Sequence, residues 1–191
     1  MDKKFKVAFE LDEHDAAYFR SLYRAAKQSA AKLDPQQILQ DASALIKRVS
    51  ESQHVPQFVK EAIATLEDMT QIILDPEYKA PAPVQQQVLA GLAYFANPQD
   101  LIPDHIPALG FLDDAIMISF VAEEFRHELW AYRKFRSFRG GAEQRPWTSV
   151  AKDRMPRRLE EYRKDLREKV EARKLRDKAR AAASGFRKLT L

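Results

Sequence analysis

Apolar residues recur at spacings of three and four along most of this chain, and that pattern predicts a run of amphipathic helices. Phe19, Leu22, Tyr23 and Ala26 share one face of a helix from Glu13 to about Ala31. Asp12 suits its N-cap, with Asp15 three residues on in a capping-box position. Asp34-Pro35 restarts the chain, and Ile38, Ala42, Leu45 and Val49 define a second helix. After Val55-Pro56 a third helix carries Val59, Ile63, Leu66, Met69 and Ile73 and ends at Asp75-Pro76. A stiff KAPAP linker leads into a fourth helix, from near Pro83 to Asn97-Pro98. The fifth is expected to run from Phe111 to about Phe138, until Gly140-Gly141 breaks it, and a last helix spans about Asp153 to Ala183. Only the opening differs. Phe5, Val7, Phe9 and Leu11 alternate with Lys4, Lys6, Ala8 and Glu10, the period of a half-buried strand with no second strand to pair with. That leaves a lone edge segment, a strand completed by another copy, or an extended lead-in.

The expected fold class is therefore all-α: a helical bundle containing an apolar helical hairpin with an Asp/Pro-rich loop, a short N-terminal extended segment and a basic C-terminal helix. Its organisation reads as an extended lead-in over 1–11, a helical body over 12–139 with the hairpin at about 83–130, a linker over 140–152 and a tail over 153–191. Within the hairpin, the run from Ala115 to Ala122 is apolar on every side except Ser119, which predicts burial. The facing run, Val88 to Ala96, holds Ala90 and Gly91, small enough for close approach.

Charge changes the picture at the C-terminus. The chain of 191 residues has a net charge of +4. From Lys152 onward there are 15 Lys and Arg against 7 Asp and Glu, a net of +8, which leaves the body at −4. Such a tail points to an anionic partner: nucleic acid, an anionic membrane surface, or the protein's own acidic body. The candidate anion-binding residues are Arg154, Arg157, Arg158, Arg163, Lys164, Arg167, Arg173, Lys174 and Arg176. Arg133, Lys134, Arg136 and Arg139, with Phe135 and Phe138 interleaved, form a second basic cluster upstream. Met155, Leu159, Tyr162, Leu166 and Val170 make a narrow apolar stripe on the tail, flanked by i,i+4 pairs such as Glu160–Lys164 and Asp165–Lys169. The absence of Cys excludes a disulfide framework, thiolate metal sites and a thiol nucleophile, and agrees with a reducing cytoplasm. No apolar run approaches the ~18–20 residues of a membrane span. The expected location is the cytoplasm or a peripheral position on its membrane.

Residues 94–114 read YFANPQDLIPDHIPALGFLDD. Through Tyr94, Asn97, Pro98, Asp100, Pro103, Asp104, Pro107, Gly110, Asp113 and Asp114, with apolar residues between, the segment resembles the YkvA-like domain of unknown function. The resemblance covers about a quarter of the chain, flanking helices included, and implies the hairpin but no activity. The aspartates read two ways. As caps and first-turn residues, Asp113 and Asp114 complement the helix dipole of the fifth helix, worth ~0.3–1 kcal/mol each. As a hard-metal site, Asp100, Asp104, Asp113 and Asp114 would offer oxygen ligands to Mg²⁺ or Ca²⁺, although their spacing matches no coordination signature. Glu124 and His127 form a single Glu-x-x-His pair, where carboxylate-bridged di-iron sites need two. Neither a phosphate-cradling glycine loop nor a nucleophile elbow is present. The leading functional expectation is a non-enzymatic interaction or regulatory module, with no cofactor and with a protein partner or a homodimer among its assemblies. The competing one is a metal-dependent, hydrolase-like enzyme built on the four aspartates.

Overall fold

The structure, a computed structural model, describes residues 12–53, 55–96, 110–143 and 154–188. The expected extended segment, Asn97, Pro98, Asp100, Pro103, Asp104 and Pro107 therefore lie outside the described residues. Among those described, the fold is an all-α helical bundle without strands: α1 (Glu13–Ser29), α2 (Pro35–Glu51), α3 (Gln57–Leu74), α4 (Ala82–Leu92), α5 (Leu112–Glu124), α6 (Arg126–Glu143) and α7 (Met155–Lys188). Short 3-10 turns follow α1 at Ala30–Lys32 and α4 at Ala93–Ala96.

The capping signals act as the sequence implies. The Asp12 carboxylate accepts from the backbone N–H of His14 and Asp15, and the Asp15 side chain answers back to the Asp12 N–H. Asp34 caps α2 with Pro35 at its first position. The bundle assembles around α3, which packs against α2, α4, α5 and α6. Leu66, Met69 and Ile72 of α3 meet Leu92, Met117 and Ile118 in the fully buried centre. Ile72 takes the core position that the stripe had assigned to Ile73, which is only partly buried. A helix packed on several sides buries more than one stripe.

Two boundaries differ from the sequence reading. The fifth helix is two helices, α5 and α6, with a bend at Phe125 (φ −99°, ψ 14°). No proline or glycine marks the bend, so periodicity alone runs through it. The side chain of Phe125 is buried there, and Gly91 of α4 makes room for its ring. The second difference is Gly140-Gly141, which α6 crosses before ending at Glu143.

α4 and α5 meet at Gly91. A Cβ on this residue would lie 2.6 Å from the Phe125 ring, 3.1 Å from the Tyr23 hydroxyl and 3.2 Å from a Val121 methyl. Gly91→Ala gains ~1 kcal/mol of helix propensity, but overpacking three neighbours in a closed contact costs about 1–3 kcal/mol. The expected result is a lower melting temperature. An unchanged or higher one would show that the ring and the tyrosine simply step aside.

Candidate functional site

α7 lies antiparallel on α6 and carries one heptad-spaced stripe along its length. Its first half is Met155, Leu159, Tyr162 and Leu166; its second half is Lys169, Arg173, Arg176 and Arg180. The first half is glue. Leu159 and Leu166, with Val170 beside them, are buried, and Tyr162 stacks on Phe138 of α6 with ring centroids 4.3 Å apart. Tyr78, from the segment between α3 and α4, wedges in below. It is buried edge-on to Tyr132 and against Phe135, and the Arg167 guanidinium covers its face 5.0 Å from the centroid.

The second half lines an open groove of about 610 Å³ between α6 and α7. Arg126, His127 and Trp130 form one wall, and Lys169, Arg173, Arg176 and Arg180 form the other. Arg173 lies flat over the Trp130 indole, 4.1 Å from its centroid. One carboxylate stands inside, Asp177, bonded to Arg126 and, at 2.9 Å, to His127 Nε2. The Arg126 bond, followed by that of His127, holds the Asp177 carboxyl below the usual carboxylate range. Arg176 and Arg180 meet no acidic partner among the described residues.

The nine candidate cations do not act as one surface. Arg173 and Arg176 enter the groove. Arg167 and Lys174 turn instead to Glu128 of α6, which is only 4% exposed. Burial works against the Lys174 ammonium, but the Glu128 and Glu171 carboxylates outweigh it and hold its ionisation above the usual lysine range. Arg163 donates to the Glu77 carbonyl. Arg157 and Lys164 pair with Glu161 and Glu160 on the helix surface. Arg158 lies over Phe138, and Arg154 is exposed at the start of the helix. Lys169 and Arg180, absent from the sequence-derived set, complete the groove. The heptad continuation of the apolar stripe past Leu166 is the signal that could have found them.

The three arginines of the upstream basic cluster are spent internally, while Lys134 is exposed. Arg133 and Arg136 grip the buried Asp68 of α3, each at 2.6 Å. Arg139 holds Asp75, the residue just past α3, at 2.9 Å and Glu77 at 2.8 Å. Burial disfavours the Arg139 charge, but hydrogen bonds to these two carboxylates more than reverse it, and its ionisation is pushed up. The Tyr132 hydroxyl donates to Asp75 at 3.3 Å. Burial first, and then the Asp75 carboxylate, push the Tyr132 phenol up to about 12. The folded state thus favours the neutral phenol, and this contribution is intact below the ordinary tyrosine value near 10. It is expected to drain away as pH rises from about 10 to about 12. Ultraviolet titration of the wild type against Tyr132→Phe checks it; a difference signal centred near pH 10 would contradict it.

Asp113 and Asp114 stand in the first turn of α5, the former buried, and the N-cap is Phe111. Asp100 and Asp104, the other two candidate metal ligands, lie outside the described residues. Among those described, no three carboxylate or imidazole groups converge as a metal site would require. Glu124 and His127 part at the bend: Glu124 pairs with Lys27 of α1 at 2.6 Å, and His127 with Asp177 of α7.

Comparison with known proteins is local. Residues 87–120, from within α4 to within α5, match a family described as "Protein of unknown function (DUF1232)". Over 47 residues, 25% of the chain, the sequence is 40% identical to the "Uncharacterized membrane protein YkvA" of Bacillus subtilis (strain 168). The match spans 44% of that relative, less than half its length. No solved structure matches the chain. No described helix is long and apolar enough to cross a membrane.

Proposed function

We propose that this chain, whose residues 87–120 form a YkvA-like domain, is a non-enzymatic interaction module whose C-terminal helix grips the phosphate backbone of a nucleic acid. One observation carries the reading. The stripe that is apolar where α7 glues itself to α6 turns to Lys169, Arg173, Arg176 and Arg180 where the groove opens. Packing explains the first half of the stripe; in the second, Lys169 pairs with Asp165 and Arg173 covers Trp130, while Arg176 and Arg180 meet no acidic partner among the described residues. A row of four cations spans about 16 Å from Lys169 to Arg180 at 1.5 Å per residue, a length suited to several consecutive phosphates. The Trp130 indole in the opposite wall adds an aromatic surface of the kind that single-stranded nucleic acids stack on.

A membrane surface would attract the same cations, and the Bacillus subtilis relative is named a membrane protein. The groove half of α7 offers little to bury in lipid, however. Leu175 is its one exposed large apolar side chain among the described residues. The test is equilibrium binding of fluorescent single-stranded RNA, duplex DNA and vesicles of phosphatidylcholine with phosphatidylserine, each across a salt series. The proposal expects nucleic-acid binding that weakens steeply with salt. Binding to the vesicles alone, or to none of the three, would sink it.

A further inference from the structure

Of the nine residues that line the α6–α7 groove, one is acidic. Asp177 stands one helical turn from Arg173 and from Arg180 on the same side of α7. It pairs with neither, and reaches instead to the opposite wall. Its Oδ2 atom accepts from Arg126 Nη2 and meets His127 Nε2 at 2.9 Å. Two groups of α6 thus converge on one carboxylate oxygen, in a side chain that remains about a third exposed.

Arg126 is the one Lys or Arg on the α6 wall of the groove; the other four belong to α7. It opens α6 just after the bend, and its Nη1 atom pairs with Glu123, which does not line the groove. Glu123 therefore anchors the guanidinium from outside and leaves Nη2 aimed inward. Docking of α7 gives the Asp177 contacts little to do. Buried Leu159, Leu166 and Val170, the Tyr162–Phe138 stack and the two cations on buried Glu128 already hold the helix in place. A solvent-exposed pair adds little to that.

We infer that Asp177 masks Arg126: its carboxylate takes the place of a backbone phosphate on the α6 wall and holds the groove below its full affinity for a nucleic acid. This rests on the reading of the groove as a phosphate-binding surface. An entering strand either displaces Asp177 from Arg126 or binds the α7 stripe alone, beside a like charge. Arg126 is then a fifth phosphate ligand held in reserve, and anything that draws Asp177 away adds it to the stripe.

The experiment measures fluorescence anisotropy of labelled single-stranded RNA with the full chain, across a salt series, for the wild type and Asp177→Ala. The variant is expected to bind about fivefold more tightly at 50 mM salt. One added phosphate contact should also steepen the slope of log affinity against log salt by about 0.7. Adding Arg126→Ala to Asp177→Ala should return the slope to the wild-type value. Glu168→Ala makes the same change of net charge on α7, at an exposed residue outside the groove with no ion pair among the described residues, and should keep the wild-type slope. Asp177→Asn, which keeps the side chain's shape, is read in parallel and should steepen the slope in the same direction. All four variants should melt close to the wild type. RNA binding that emerges only once Asp177 is replaced would support a complete mask. A wild type that binds RNA, with an Asp177→Ala slope no steeper than its own or that of Glu168→Ala, would overturn the mask and leave the groove reading standing. A steeper slope that survives Arg126→Ala would remove Arg126 as the masked ligand. No RNA binding by the wild type or any variant would remove both readings together.

Discussion

Asp75→Ala is expected to destabilise the protein by about 3–5 kcal/mol, the cost of removing one partner from a buried ionic cluster. The carboxylate is 6% exposed and serves four donors at once. One oxygen accepts from the backbone N–H of Glu77 at 2.9 Å and of Tyr78 at 3.1 Å, which closes the turn after α3. The carboxylate also accepts from the Tyr132 hydroxyl and pairs with Arg139. Alanine strands the buried Tyr132 hydroxyl and leaves the turn without its side-chain acceptor. Arg139 keeps Glu77, which limits the loss. The turn also places Tyr78, the wedge between α6 and α7, so the damage should spread to α7 docking. Urea denaturation measures the change. At about 2–4 °C per kcal/mol for a chain of this size, the melting temperature should fall by roughly 6–20 °C. Asp75→Asn keeps an oxygen for the two N–H groups and should cost clearly less. Parity between alanine and wild type would show that the cluster is solvated rather than structural.

The same residue shows what sequence reading reached and where it stopped. Asp75-Pro76 marked the end of α3, because that signal is local. Its ionic partner Arg139 stands 64 residues away, and only the packing of α3 on α6 brings them together. The basic cluster of Arg133, Arg136 and Arg139 was visible, but its destination was not. A cation three or four residues from apolar neighbours looks alike whether it meets solvent, a ligand or a buried Asp68. Helix caps, the stripes of α2 and α7, and the burial of Ala115, Met117, Ile118 and Val121 were legible, since each depends on neighbours within a few turns. The bend at Phe125 was not, because no proline or glycine stands at it, and the space its ring fills is left by Gly91 on another helix.

Removing Arg173, Arg176 and Arg180 together is expected to flatten the salt dependence of RNA binding while leaving the fold intact. If each cation of the stripe meets one phosphate of a single strand, four contacts give a slope of about −2.8 in log affinity against log salt. The wild type should then lose about 50-fold in affinity between 50 and 200 mM salt. With three of the four replaced by alanine, the same interval should cost only about threefold. Arg157→Ala with Lys164→Ala supplies the control. It also deletes cations from α7, but these pair with Glu161 and Glu160 and lie off the stripe. Loss of exposed i,i+4 pairs costs only a few tenths of a kcal/mol each. That double variant should keep the wild-type slope. Arg167 and Lys174 are poor choices for the comparison, because freeing Glu128 would leave a buried carboxylate unpaired and confuse binding with unfolding. The triple variant deletes an aromatic contact, Arg173 on Trp130, but no ion pair among the described residues, so its melting temperature should move little. Equal slopes in the triple variant and the wild type would mean that the stripe does not touch the RNA. Equal losses in the triple and control variants would mean that bulk charge, rather than the groove, sets the affinity.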